Sequence, residues 1–263
     1  MKRLITLITD FGTKDYYVPS LIGQIKSINP DVEILHLTHE IKNQNIIEAA
    51  FTLKNSFPNF APDTIHVVVV DPEVGGERDA VLVKHNGHYF IAPDNGILSL
   101  AFETTKPDFI FSILNSAYKN RIISPVFHGR DIFTPIAAYL SLGVPAKLLG
   151  IQKSELLDLR WSLPSYDRQR IVGQIIHIDH FGNLISNVTE IFLRQWQQQE
   201  DFVVSMPGWE PMSLSKSYSD VEAGDPVALI GSSGQLEIAV YQSNANQLFD
   251  LNIGSSIIIE KSK

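Results

Sequence analysis

Short blocks of unbroken apolar, mostly β-branched residues recur along the first part of the chain, and each ends abruptly in polar or glycine-containing sequence. Leu4-Ile5-Thr6-Leu7-Ile8 runs into Thr9-Asp10-Phe11-Gly12, and Val32-Glu33-Ile34-Leu35 into His36-Leu37-Thr38-His39. Ile65 to Val70 ends in Asp71-Pro72-Glu73-Val74-Gly75-Gly76, and Tyr89-Phe90-Ile91-Ala92 in Pro93-Asp94-Asn95-Gly96. Such runs, bounded by Gly and Pro, predict strands buried on both faces. Between them the apolar period lengthens to that of a helix. Leu21, Ile25 and Ile28 share one face of a helix over 17–29, and Ile47, Ala50 and Leu53 share one over 46–55. Strands alternating with helices predict an α/β domain of three layers around a mostly parallel sheet.

From about Ile171 the helical period fades. Strand-like runs at Ile175–Ile178, Phe202–Met206, Val227–Ile230, Leu236–Val240 and Ile257–Ile259 are separated by Gly or Asn turns. These predict a smaller antiparallel sheet or β-barrel. Leu163-Pro164-Ser165-Tyr166-Asp167-Arg168 is polar and non-periodic and reads as the linker, giving an α/β domain over 1–165 and a barrel-like domain over 171–263. A chain of 263 residues is long enough for two such cores.

Charge and composition narrow the function. The formal net charge is −8, with 29 acidic against 21 basic residues and no dense Lys/Arg cluster, which argues against a nucleic-acid partner. The absence of cysteine removes disulfides, thiolate nucleophiles and Cys-ligated metals. No run reaches the length of a membrane span, and Met1-Lys2-Arg3 opens into a strand rather than a signal peptide, so a cytoplasmic enzyme is expected.

In open α/β sheets ligands bind beyond the carboxyl ends of the strands, where Asp10, Asp71, Arg78, Asp94 and His128 are expected. Asp10 can hold both hydroxyls of a ribose, or it can cap the following helix, as can Thr13. Asp71 emerges from an apolar sleeve where a bare charge is costly. Arg78, across a Gly-Gly turn, can compensate it, either as a structural clasp or within a reactive site. His128 in Phe127-His128-Gly129-Arg130-Asp131 suits acid-base work or simple packing before a helix over 132–142, with Asp131 as its cap. Pro93-Asp94-Asn95-Gly96 has the composition of a structural turn. His36 and His39 resemble a chelating pair, but side chains three apart on a strand point to opposite faces unless the strand has already ended; Asp71, Asp94 and His128 are an alternative carboxylate-histidine metal set, and nothing here has specific metal-ligand spacing. In the second half, Asp179-His180-Phe181-Gly182-Asn183 offers either a hairpin turn or an amide that reads an adenine edge, and Gly231-Ser232-Ser233-Gly234 offers a small-residue loop.

The order of these segments resembles the S-adenosyl-L-methionine (SAM) hydroxide adenosyltransferase family, relatives of the SAM-dependent chlorinases and fluorinases. The resemblance covers nearly the whole chain, including Thr9-Asp10-Phe11-Gly12 with Asp15, Leu37-Thr38-His39, Val70-Asp71-Pro72 with Arg78, Phe127 to Asp131, Ile178-Asp179 with Phe181-Gly182-Asn183, and Gly231-Ser232 with Leu236-Glu237-Ile238-Ala239. It implies hydrolysis of SAM to adenosine and L-methionine, without a cofactor, in a homotrimer whose sites lie between subunits. It assigns Asp71, Arg78 and His128 to water activation and Asp10 to the ribose. Asp15, Ser232 and Ser233 fall to the methionine end, and Asp179, Phe181, Asn183 and backbone around Ala239 to the adenine side. The halogenating relatives lack the Asp-Arg-His set, which favours water over halide. A non-catalytic SAM or adenosine binder and a halogenase are the alternatives. Two positions depart from the family pattern, Glu73 and Pro19, each standing where glycine is usual.

Overall fold

The computed structural model describes residues 3–198, 200–206 and 208–262; Met1, Lys2, Gln199, Pro207 and Lys263, which fall within the two expected domain spans, lie outside the described residues. The chain divides into two units, Met1–Arg160 and Trp161–Lys263. In the first, the chain runs β1 (Leu4–Thr9), α1 (Tyr17–Ile28), β2 (Glu33–Thr38), α2 (Ile46–Ser56), β3 (Ile65–Val69), β4 (Ala80–His85), β5 (His88–Pro93), α3 (Ile97–Phe102), β6 (Phe109–Ser112), α4 (Thr134–Ser141), α5 (Ala146–Leu149) and β7 (Ile151–Gln152).

These strands form one sheet in the order β2-β1-β3-β5-β4-β6-β7. The pairings from β2 to β5 are parallel: α1 and α2 carry the chain between β1, β2 and β3, and β4 returns it to β5 alongside β3. Those from β5 through β4 and β6 to β7 are antiparallel. The sheet is therefore mixed, and the expectation of a mostly parallel one is corrected. The cause is a hairpin between β4 and β5, turned at Asn86 (φ 47°) and Gly87 (φ 81°). An Asn-Gly pair at positive φ matches the twist of two adjoining strands and needs no crossover helix.

Alternation along the central strands builds two apolar faces. Ile5, Leu7, Val67, Val69 and Ile91 pack with Ile25 of α1 and Ile136, Ala137 and Leu140 of α4. The alternate set, including His66 and Phe90, meets Phe57 behind α2 and Phe102 of α3. Within α2, Ala50 and Leu53 are buried as expected, whereas Ile47 is exposed and Ala49 and Phe51 take its place in the core.

The second unit carries β8 (Ser165–Tyr166), β9 (Arg170–Ile178), β10 (Leu184–Thr189), α6 (Glu190–Gln197), β11 (Phe202–Ser205), β12 (Leu214–Ser215), β13 (Pro226–Ile230), β14 (Gln235–Val240), α7 (Ala245–Phe249) and β15 (Ser256–Lys261). Its sheet follows the order β11-β15-β9-β10-β14-β13-β12, antiparallel except where β12 meets β13. Val204 of β11 bridges to Met212 just before β12, which brings the two ends of the sheet together in barrel fashion. The core is Ile171, Ile175, Leu184, Val188, Leu236, Ile238, Ile257 and Ile259, closed by Leu193 and Trp196 of α6. The stretch 163–168, expected as an irregular linker, contains β8, which hydrogen-bonds to β9.

Candidate active site

Because β1, β3 and β5 are parallel and adjacent, their carboxyl ends bring Asp10, Asp71 and Asp94 to one edge of the sheet. Since β4 runs antiparallel to β5, with Ala80 opposite Pro93, the residues just before β4 return to that same edge. Arg78 is one of them.

Its guanidinium meets Asp71 closely. Nε lies 3.0 Å from each carboxylate oxygen, and a terminal nitrogen donates to Oδ2 as well. Both side chains are only 5% exposed. Two charges this deeply withdrawn from water persist only when paired and hydrogen-bonded, and here each is. The same terminal nitrogen donates to His128 Nδ1 at 2.8 Å. A guanidinium has no acceptor, so Nδ1 is the lone-pair nitrogen and Nε2 carries the proton of the neutral ring. Burial, reinforced by the Arg78 charge, lowers the His128 pKa and favours that neutral form. The guanidinium also lies 5.5 Å from the centre of the Phe133 ring.

His128 leads into a single turn of π-helix, Gly129–Phe133, which continues as α4 with Pro135 in its first turn. Asp131 is not the cap expected from sequence. It lies buried inside this turn, where its carboxylate accepts from Ser124 N–H (2.8 Å), Asn120 Nδ2 (2.8 Å) and Arg130 Nε (2.8 Å), anchoring the approach to His128. Phe127 packs edge-on against Phe11 and Tyr17, so the segment before His128 rests on the loop that follows Asp10.

Asp10 caps no helix, and neither does Thr13: α1 begins after Tyr16 without a side-chain cap. Asp10 Oδ2 instead accepts the Gln44 N–H at 2.8 Å. Asp15 is exposed. Asp94 serves a structural turn, pairing with Lys153 (3.1 Å) and accepting the Leu157 N–H (2.9 Å). Glu73 stands where the family pattern has glycine, yet only Gly75 in that loop takes a positive φ. Pro19 fits the first turn of α1, where its missing N–H costs nothing.

His36 and His39 do not point apart. Leu7 pairs with His36 and Ile8 with Thr38, so Leu37 is a bulge that slips the alternation by one residue. The rings come together, His36 Nδ1 lying 2.6 Å from His39 Nε2. Among the described residues, no group of three or more His, Asp or Glu side chains is arranged to hold a metal ion.

In the second unit, Asp179 Oδ1 accepts the N–H groups of Phe181 (2.9 Å) and Asn183 (2.8 Å), and Oδ2 accepts from Asn183 Nδ2 (3.0 Å). Asp179 thus shapes the turn that holds Phe181 out, 72% exposed, and buries Asn183. Leu184 pairs with Ile238 and Ile185 with Glu237, a register that carries Asn183 alongside the buried Ala239. Ser232 is exposed and Ser233 half-buried in the turn entering the other end of β14. Between them Glu237 is buried and bonded to the Tyr218 hydroxyl at 2.5 Å, and burial raises its pKa.

Sequence reasoning missed three supports of this edge. Asn95 donates to the Val70 carbonyl at 2.8 Å and pins the end of β3; Asn120 holds Asp131; and His39 bonds to Thr9. The signal for Asn95 was its place in a turn at the end of β5, beside β3. The others depend on loop contacts without a local pattern.

Two family models match the chain: the SAM hydroxide adenosyltransferase N-terminal domain over residues 5–150 and the C-terminal domain of the same family over residues 173–258. The (R)-S-adenosyl-L-methionine hydrolase of Methanocaldococcus jannaschii is 32% identical, over 95% of this chain and 92% of its own. A fluorinase from Actinoplanes sp. is 23% identical over 98% of this chain and 97% of its own. The crystal structure of an uncharacterized conserved protein from Thermotoga maritima superposes with a TM-score of 0.90 at 34% identity, covering 98% of this chain and all of that one. On this match to both domain models along most of its length, the chain belongs to the SAM hydroxide adenosyltransferase family.

Proposed function

We propose that this protein hydrolyses SAM to adenosine and L-methionine by attack of water on the ribose C5′, and that, like the relative from Methanocaldococcus jannaschii, it acts on the (R) sulfonium epimer. The observation that carries the reading is the hydrogen-bonded set Asp71–Arg78–His128 at the carboxyl edge of the sheet. The sulfonium leaves as a neutral thioether and needs no acid. The difficulty is the nucleophile, because water is weak, solvated, and must lie in line with the C–S bond. Holding it there is worth up to about 7–11 kcal/mol in well-oriented model reactions.

Each group has a role that its bonding permits. Asp71 uses its remaining lone pairs to take the water's proton. His128, neutral, presents Nε2–H to the water oxygen and orients it. Arg78 fixes both partners with a single guanidinium and balances the carboxylate. A halide brings its own charge and is repelled by Asp71, so the same set favours water. Asp10 holds the ribose hydroxyls; Asp15, Ser232 and Ser233 serve the methionine end; Phe181 stacks on adenine while Asp179, Asn183 and the Ala239 backbone frame its edge. The protein works as a cytoplasmic homotrimer with substrate between subunits, a reading supported by family membership.

The test is to incubate purified protein with each SAM epimer, with and without chloride, and separate the nucleosides. Adenosine plus methionine in both salts, faster from the (R) epimer, is expected; 5′-chloroadenosine, or no turnover, overturns the reading.

A further inference from the structure

We infer that His39 is a positioning residue for the ribose grip, acting through Thr9 on the loop that presents Asp10; this rests on the hydrolase reading above. Thr9 and His39 stand at the ends of the paired strands β1 and β2, and both are buried. The His39 carbonyl accepts the Gly12 N–H at 2.7 Å, and its Nδ1 lies 2.8 Å from Thr9 Oγ1. Thr9 Oγ1 in turn accepts the Phe11 N–H at 3.2 Å. One residue therefore bonds to both sides of Asp10, once through its backbone and once through its ring. The chain bends at Asp10 and Phe11 and Gly12 takes φ +63°, a shape that these bonds hold.

His36 completes the device. Its Nδ1 holds His39 Nε2 at 2.6 Å, which fixes the ring plane, and the bulge at Leu37 makes that contact possible. Burial and the neighbouring His36 push the His39 pKa down to about 4, so the ring is neutral at neutral pH and donates from one nitrogen while accepting at the other, one bond to each partner. The arrangement adds a polar chain, Thr9–His39–His36, that the chemistry at Asp71 does not use.

The experiment compares wild type with His39→Leu, His39→Asn, Thr9→Val and the double variant Thr9→Val/His39→Leu, using steady-state hydrolysis of SAM and calorimetry with adenosine. Losing one buried hydrogen bond predicts a roughly tenfold rise in KM and in adenosine Kd for His39→Leu and for Thr9→Val. The value of kcat changes little, and the double variant is no worse than either single one. His39→Asn, whose amide reaches Thr9 in place of Nδ1, restores most of the affinity. Amide hydrogen exchange at Phe11 and Gly12, which needs no turnover, accelerates in His39→Leu. Unchanged KM, Kd and exchange in folded His39→Leu, or a fall in kcat alone, overturns the inference. A wild type that releases no adenosine strikes instead at the hydrolase reading, and the exchange comparison still decides the role of His39.

Discussion

In the proposed reaction, Asp71 is the residue on which the chemistry turns. Its carboxylate is withdrawn from water yet remains able to accept a further hydrogen bond beyond those from Arg78. Replacing it with Asn keeps shape and removes the base, which predicts a fall in kcat of roughly 100- to 10,000-fold. Adenosine affinity, measured by calorimetry, should stay within a few-fold of wild type; a matching loss of affinity would make Asp71 a mere clasp. The sign of the pH response follows from His128. Burial and Arg78 lower its pKa, so the neutral ring that accepts from Arg78 prevails at pH 7 and is lost only on acidification. The acid limb of kcat/KM should therefore lie below the ordinary histidine value of about 6.5. A pH profile of His128→Gln should lack the part of that limb due to the imidazole.

At the scale of elements, the site depends on two loops that meet. Gly75 takes φ +80°, and a Cβ there would overlap the carbonyl oxygen of Pro125, in the segment leading to His128. Gly75→Ala should separate Arg78 from His128 and destabilise the fold by about 1–3 kcal/mol, read by urea unfolding alongside a lowered kcat. Stability and kcat both unchanged would show that this close approach is dispensable. Much of this framework was legible from sequence. The apolar runs ending in Asp10, Asp71 and Asp94 located strand ends because strands buried on both faces cannot be confused with amphipathic surface helices. The β4–β5 hairpin departs from the expected parallel sheet because Asn86-Gly87 turns the chain straight back, where β-α alternation would place a crossover helix. The contact of His36 with His39 was not legible, because a single bulge at Leu37 reverses the facing of every later side chain.

For the whole molecule, acid should be the weak side. His66, His85 and His88 lie buried among Phe57, Phe90 and Phe102, on the face of the sheet away from α1. Burial lowers all three pKa values, that of His66 to about 3, although Asp63 acts in the opposite sense on His88 and Asp108 on His85. The unfolded chain binds protons at these positions more readily than the folded one. Their stabilising effect is thus complete above about pH 6.5 and declines as pH falls toward the folded values, by up to about 1.4 kcal/mol per pH unit for each group. Urea unfolding at pH 7.5, 6 and 5 should show that decline, and His66→Gln should make it shallower by about one proton. A stability independent of pH over this range would contradict the account.

The central claim is that water, readied by Asp71, Arg78 and His128, attacks the ribose C5′ of SAM. A single turnover in H₂¹⁸O, followed by mass spectrometry of the products, tests it most directly. The account predicts one ¹⁸O in the 5′-hydroxyl of adenosine and none in methionine, with the labelled product nearly abolished by Asp71→Asn. Adenosine without label, or label in the amino-acid product, would contradict it.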